Sequence, residues 1–99
     1  MMNAIDVIAT LRRHESALRA RGIRHVAVFG SVARGDNRPG SDLDILVEFG
    51  PEANDSIYEY MDIKDYIASL FDGPVDAVDR DALKPRLRAP TARDAVYAF

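Results

Sequence analysis

Two aspartates at alternate positions, Asp42 and Asp44, give the clearest chemical signal in the chain. They flank Leu43 at the start of an apolar run, and alternate side chains of a strand project from the same face. The two carboxylates would therefore lie together while Leu43 turns into the core. Neighbouring carboxylates repel each other unless a cation lies between them, and oxygen ligands suit Mg²⁺ or Mn²⁺. The pair predicts a divalent-metal site.

A glycine and a serine, Gly30-Ser31, precede this pair and follow an apolar, strand-like run. Backbone N–H groups and a hydroxyl at such a turn bind anions, and glycine permits close approach because it has no Cβ. Arg34 follows shortly afterwards and is a candidate contact for a phosphate oxygen. Phosphate donors beside metal ligands are what a metal-bound nucleoside triphosphate requires.

Asp76 is the candidate for a third carboxylate. It lies in a short apolar run in which Val75 and Ala77 would turn inward, whereas the other acids nearby fall in turns or helix starts. A third acid would complete a two-metal site for an in-line displacement. Asp76 would then activate the attacking hydroxyl, as a base or through its metal.

Each of these features also has an ordinary structural interpretation. An Asp-x-Asp pair alone is usually a solvated edge or turn, and Gly-Ser at the end of a strand is usually just a turn. The sequence has no P-loop lysine pattern, no EF-hand spacing and no nucleophile elbow. A basic group in the last quarter of the chain is interpreted as a solvated face, with a phosphate- or partner-binding patch as the alternative. Its members are Arg80, Lys84, Arg86 and Arg88.

The first half of the chain is predicted to form a helix, two strands and a shaped loop. Residues 3–21 have a helical apolar period, which assigns Ile5, Ile8, Leu11 and Leu18 to the buried side and leaves Val7 off it. Residues 25–29 and 43–49 are predicted strands. The glycine-rich segment 30–40 between them is predicted to be a loop with one short helical turn.

The second half is predicted to form a helix, a strand and a final helix. A capping box at Ser56–Glu59 starts a helix that ends near Phe71. Residues 75–78 are a predicted strand and 91–99 a predicted helix, with 83–87 undecided because Pro85 lies within it. This order indicates the α/β (α+β) class, with a small mixed sheet flanked by helices.

Composition narrows the possible classes of protein. Residues 1–99 are expected to form one domain, because 99 residues with 47% hydrophobic and 29% charged side chains fit one ordinary globular unit. The absence of cysteine excludes disulfides and thiolate zinc sites, and the net charge of −3 argues against direct binding to nucleic acid. No apolar run reaches the length of a membrane span and no signal peptide is evident, so the expected location is the cytoplasm.

The conjunction of these motifs resembles the minimal nucleotidyltransferases of the polymerase-beta-like superfamily. Their signature is Gly-Ser, about ten residues, and Asp-x-Asp, which corresponds here to Gly30-Ser31, the spacer 32–41 and Asp42-Leu43-Asp44. Within that superfamily the chain is most similar to the MntA-type antitoxins of HEPN/MNT toxin–antitoxin systems. The segments 33–36, 41–49, Val75-Asp76 and 83–87 carry that likeness.

The resemblance implies a Mg²⁺-dependent enzyme that transfers AMP from ATP to a tyrosine hydroxyl of a HEPN-domain ribonuclease toxin and thereby neutralises it. It implies two Mg²⁺ ions and a hetero-oligomer with the toxin. The implied nucleotide-binding positions are Gly30, Ser31, Arg34 and Ser41. The implied metal-binding and catalytic positions are Asp42, Asp44 and Asp76.

Two other functions remain open on the sequence alone. The chain would be a non-catalytic antitoxin if it blocked the toxin by binding and its site were vestigial. It would be a different transferase if the acceptor were RNA or a small molecule such as an aminoglycoside. Three intact carboxylates favour transfer over binding alone, and the small size and acidity of the chain argue against the RNA or small-molecule acceptor.

Overall fold

The computed structural model describes residues 3–51 and 57–99, and it shows a four-stranded sheet with helices. The elements, in chain order, are α1 (Ala4–Arg13), α2 (Glu15–Ala20), β1 (Ile23–Phe29), α3 (Gly30–Arg34), β2 (Leu43–Phe49), α4 (Ile57–Ser69), β3 (Val75–Asp79), a 3-10 turn (Arg80–Ala82), α5 (Pro85–Asp94) and β4 (Val96–Tyr97). In the described part of the chain, no helix is long and apolar enough to cross a membrane.

The sheet is mixed, which confirms the predicted class. Its strand order is β3-β2-β1-β4, with β1 antiparallel to both β2 and β4, and β2 parallel to β3. Asp44 is the register partner of Phe29 on one side and of Asp76 on the other. Because directly opposite residues share a face, this register brings the carboxylates of two separate strands together.

One face of the sheet forms the core. Leu43, Ile45 and Val47 of β2 alternate onto this face and are fully or almost fully buried. Burying each such side chain contributes about 1.5–3 kcal/mol. The core residues contributed by the helices are Val7, Leu11, Leu18, Val32, Ile63 and Ile67. The opposite face carries Asp44, Leu46 and Glu48 of β2, so one strand serves both the core and the polar face.

The first predicted helix is two helices, and its predicted apolar side is wrong at two positions, Ile5 and Val7. α1 ends at Arg13 and α2 begins at Glu15, while Asn3 caps α1 by accepting the Asp6 N–H at 2.9 Å. Val7 is 2% exposed and Ile5 is 80% exposed. Val7 lies four residues before Leu11, on the same face, whereas Ile5 is two residues from Val7 and points about 200° away from it.

The C-terminal prediction is also wrong. Residues 85–94 form α5 and residues 96–97 form the edge strand β4, where a helix over 91–99 was predicted. Pro85 occupies the first helical position, where its missing N–H is tolerated, so it starts α5 instead of interrupting it. Val96 and Tyr97 are good strand formers and pair with Val28 and Ala27. The predicted capping box includes Ser56, which lies outside the described residues.

Candidate active site

The open face of the sheet carries the three acids at one end. Asp44 in β2 and Asp76 in β3 are register partners on adjacent parallel strands. Asp42 lies just before β2 and is close enough to Asp44 for its charge to be felt there. The predicted alternation, with Leu43 buried between the two aspartates, is what the structure contains.

Asp44 lies at the centre of this negative charge. Partial burial raises the pKa of its carboxyl above the ordinary value of 3.8, and the charges of Asp76 and Asp42 raise it further. Arg34 acts in the opposite direction, but its effect is the smallest of the four. Like charges held together in a partly dry site are stabilised by a cation between them.

Gly30 allows α3 to start directly against Asp44. Its φ of +73° is in the left-handed region, and a Cβ there would overlap Asp44 Oδ2 and lie 3.1 Å from Asp44 Cγ. Any side chain at this position would therefore be strained and would displace the carboxylate. The glycine is needed for the close contact between the turn and the acid.

Ser31 occupies the first turn of α3, one residue beyond this contact. It is half-buried, and its carbonyl oxygen accepts the Asp36 N–H at 3.0 Å, which closes the end of the short helix. The residue before α3, Phe29, supplies no side-chain cap to the first turn. Gly30 and Ser31 thus lie at the same end of the open face as the acids.

Arg34 and Ser41, the other two predicted nucleotide contacts, are engaged elsewhere in the structure. Arg34 donates to Asp36 from Nε at 3.0 Å and to Asp94 of α5 from Nη1 at 2.7 Å. These hydrogen bonds, with Asp36 contributing most, raise the pKa of Arg34 above its usual value. The Ser41 hydroxyl accepts the Arg38 N–H at 2.9 Å and so closes the loop before β2.

Three carboxylates are suitable ligands for a divalent cation, although in this structure they do not already form a coordination site. Among residues 3–51 and 57–99, no three Asp, Glu, His or Cys side chains form a group that could already hold a metal ion. The raised pKa of Asp44 nevertheless comes in part from Asp76 and Asp42, so the three charges act on one region. Oxygen donors of this kind are what Mg²⁺ prefers, and Mg²⁺ usually keeps waters and substrate phosphates as further ligands.

The structure adds two groups that the sequence analysis missed. Asp94 connects α5 to the turn through Arg34, and no local pattern could have revealed a contact across 60 residues. On the open face beyond the acids, the Tyr97 hydroxyl donates to Glu48 at 2.7 Å and Arg80 donates to the same carboxylate at 3.2 Å. The alternation of Asp44, Leu46 and Glu48 along β2 was the available signal for Glu48.

Comparison with known proteins agrees with this geometry. A family model described as Nucleotidyltransferase domain matches residues 11–97. The protein adenylyltransferase MntA of Thermococcus cleftensis is 34% identical over 98 residues, covering 98% of this chain and 97% of that protein. A solved structure assigned as a minimal nucleotidyltransferase superposes with a TM-score of 0.77 at 35% identity, covering 96% of this chain and 95% of the other.

A more distant structure shares the fold alone. It is the tri-AMPylated HEPN toxin of Shewanella oneidensis in complex with its MNT antitoxin, at 18% identity and a TM-score of 0.65, covering 94% of this chain and 71% of the matched chain.

The open-faced mixed sheet, the turn at Gly30 and the adjacent acids define a nucleotidyltransferase. The chain belongs to the nucleotidyltransferase domain family, in its minimal, MntA-like branch. The predicted family and enzyme class are therefore confirmed.

Proposed function

We propose that this chain is a Mg²⁺-dependent antitoxin that transfers AMP from ATP to a tyrosine hydroxyl of a HEPN-domain ribonuclease toxin and so neutralises it. The observation that carries the proposal is the register of Asp44 with Asp76, next to the close approach of Gly30. Support also comes from the MntA adenylyltransferase relative and from the complex of an AMPylated HEPN toxin with its MNT antitoxin, with which this chain shares a fold.

The proposed reaction is an in-line displacement at the α-phosphorus of ATP. The tyrosine oxygen forms a bond to that phosphorus, and the bond from the phosphorus to the oxygen bridging the β-phosphate breaks. Pyrophosphate leaves with the electron pair. The proton of the tyrosine hydroxyl passes to a carboxylate oxygen of Asp76, which is exposed on the open face.

Asp42, Asp44 and Asp76 are the proposed ligands of Mg²⁺, which when bound would neutralise their charges and stabilise the attacking and leaving oxygens. Gly30 and Ser31 are the proposed seat of the triphosphate, with Arg34 and Ser41 shaping the turn and the loop beside it. We propose that residues 1–99 form a single domain and that the toxin completes the acceptor side in a hetero-oligomer.

Intact mass spectrometry tests the proposal directly. The chain is mixed with ATP, Mg²⁺ and a HEPN-domain toxin, and the expected result is toxin heavier by whole AMP units, with the modified residue a tyrosine. Asp42→Asn and Asp44→Asn should abolish the mass increase. Asp65→Asn, an exposed carboxylate of α4 on the other side of the molecule, should leave it unchanged.

Other outcomes would replace the proposal. A stable complex with an inactive toxin but no mass change would identify a binding-only antitoxin. Labelled AMP on RNA or on an aminoglycoside, and none on protein, would identify a different acceptor. Full activity in both asparagine variants would refute the assignment of the carboxylates.

A further inference from the structure

α5 is exposed on nearly all sides. Of its residues, Thr91 is buried and Asp94 is half-buried, while Leu87 is 43% exposed. The segment from Lys84 to Asp94 carries four basic side chains and one acidic one, in a chain whose net charge is −3. In the part of the chain that the structure describes, ion pairs involve Arg19, Arg34 and Arg80, so none of these four cations has a carboxylate partner there.

A groove of about 500 Å³ lies between this helix and the open face of the sheet. Leu46 and Tyr97 line it from the sheet, Leu83 and Ala92 line it from the other side, and Arg88 is among its charged residues. Its volume is in the range of pockets that enclose small molecules or large side chains. This space is called the α5 groove below.

The α5 groove lies along the same face as the acids. Leu46 is two residues beyond Asp44 in β2, so both side chains project from the open face and Leu46 lies farther from the turn at Gly30. The face therefore carries, in order, the turn, the acids and the groove.

In-line displacement determines which substrate lies on which side. The attacking and leaving oxygens are on opposite sides of the phosphorus. If the pyrophosphate lies at Gly30 and Ser31, the attacking hydroxyl approaches from the groove side of the acids. The α5 groove is thus on the acceptor's side, and the apolar residues in its lining, with Tyr97 among them, suit an aromatic side chain.

The charges around the α5 groove indicate which residues should flank the acceptor hydroxyl in the partner protein. Arg80 is already paired with Glu48, and Asp81 lines the groove as well, so the positive charge available to attract a partner is limited and lies on α5. Arg86 and Arg88 stand outside these pairs. A few carboxylates beside an aromatic residue would match them, since opposite charges at the rim of an interface attract and select the partner.

We propose that the α5 groove and the basic side chains of α5 bind an acidic, tyrosine-containing segment of the partner protein and present its hydroxyl to the acids. The inference rests on the proposed tyrosine adenylylation. It makes Arg86 and Arg88 specificity-determining residues for the acceptor, outside the transfer chemistry.

Two fluorescein-labelled peptides test the inference by anisotropy, a binding measurement that does not require transfer. One carries tyrosine between acidic residues and the other carries tyrosine between lysines. The acidic peptide should bind at low salt and weaken as salt is added, because screening removes the attraction. The double variant Arg86→Glu/Arg88→Glu should weaken this binding by about tenfold.

The matched control is Arg13→Glu/Arg24→Glu, which reverses two exposed arginines in α1 and β1. It changes the net charge by the same amount but leaves α5 unchanged, and it should retain most of the affinity. Equal affinity for both peptides, or equal losses in the α5 variant and the control variant, would overturn the inference while leaving the proposed function intact. Binding of an RNA oligonucleotide in preference to the acidic peptide would also overturn it.

Transfer kinetics separate acceptor recognition from chemistry. With a HEPN-domain toxin as acceptor, the double variant should raise KM for the toxin and leave KM for ATP and kcat nearly unchanged. An equal loss in kcat with an unchanged toxin KM would contradict the inference. Absence of AMP transfer in the wild-type chain would instead refute the proposed function, and the peptide binding would still decide the role of α5.

Discussion

At the scale of single residues, Asp44 is a proposed metal ligand whose charged form the folded state disfavours. It is half-buried beside Gly30, and Asp76 and Asp42 add like charges to it. The folded state therefore binds a proton on Asp44 more readily than the unfolded chain does. Proton binding by Asp44 therefore stabilises the folded state fully only below the ordinary carboxyl pKa. This stabilisation is lost as the pH rises through the higher pKa that Asp44 has in the folded state. At neutral pH the ionised side chain destabilises the fold.

Asp44→Asn should therefore raise the thermal midpoint at pH 7 while abolishing nucleotidyl transfer. The gain should shrink as pH falls and disappear below the ordinary carboxyl pKa of 3.8, because the wild-type acid is then neutral as well. Calorimetry across this pH range measures the effect. A lower midpoint for the variant at pH 7 would show that Asp44 is stabilised by contacts that outweigh its neighbours' charges.

Gly30→Ala should damage activity beyond its effect on stability. The left-handed φ costs about 1 kcal/mol for any residue with a Cβ, and the new methyl group would also push Asp44 aside. Gly40→Ala provides the comparison, because its φ is +88° and nothing lies within 4 Å of a Cβ there. Both variants should lose stability in denaturant, the Gly30 variant more because of its overlap with Asp44, and the Gly30 variant alone should lose transfer. Equal activity in the two would argue against the contact with Asp44.

The acids were predictable from the sequence because the information is local. Alternation along one strand is enough to place Asp42 and Asp44 together, and apolar neighbours indicate the orientation of Asp76. The engagement of Arg34 by Asp94 was not predictable, because it depends on where α5 packs after the sheet has formed.

At the scale of elements, α3 and α5 are connected through one guanidinium. Arg34 leaves α3 and reaches Asp94 at the end of α5, a helix with few buried side chains. Sequence alone misplaced this helix by about one turn and a half, since Pro85 was interpreted as an interruption and the pairing of residues 96–97 with β1 is a long-range contact. Short edge strands generally lack a local signal strong enough to identify them.

Asp94→Asn should accelerate amide hydrogen exchange in α5 while leaving the core strands protected. The ion pair at 2.7 Å is one of few contacts that hold this helix, and local opening follows from few buried contacts. Asp36→Asn is the matched control, because it removes the other carboxylate of Arg34 without releasing α5. Equal exchange in the two variants would show that α5 is held by its packing alone.

At the scale of the whole molecule, the sheet is covered on one face and carries charged groups on the other. The core helices pack against one face, whereas on the other face Leu46 and its register partner Ala27 are buried and Asp44, Glu48 and Asp76 are partly or fully exposed. Overall the chain has a net charge of −3, so a triphosphate meets an unfavourable field unless cations accompany it.

ATP should therefore stabilise the chain in the presence of Mg²⁺ and not in the presence of a chelator. A ligand at one hundred times its Kd stabilises the folded state by about 2.7 kcal/mol. For a domain of this size, that corresponds to a rise of about 13 °C in the thermal midpoint. Differential scanning fluorimetry measures the rise, which should be absent in Asp44→Asn. A similar rise with chelator present would contradict the proposed metal ligands.

The shared use of β2 makes the enzyme intolerant of length changes there. Leu43, Ile45 and Val47 point one way and Asp44, Leu46 and Glu48 the other. Deleting one residue in the middle of this strand would exchange the core-facing and open-face residues beyond the deletion. Charged side chains would then point into the interior and apolar ones onto the surface. Within β2, substitutions are therefore expected to be tolerated better than insertions or deletions. Length changes are expected only in the loops before and after this strand.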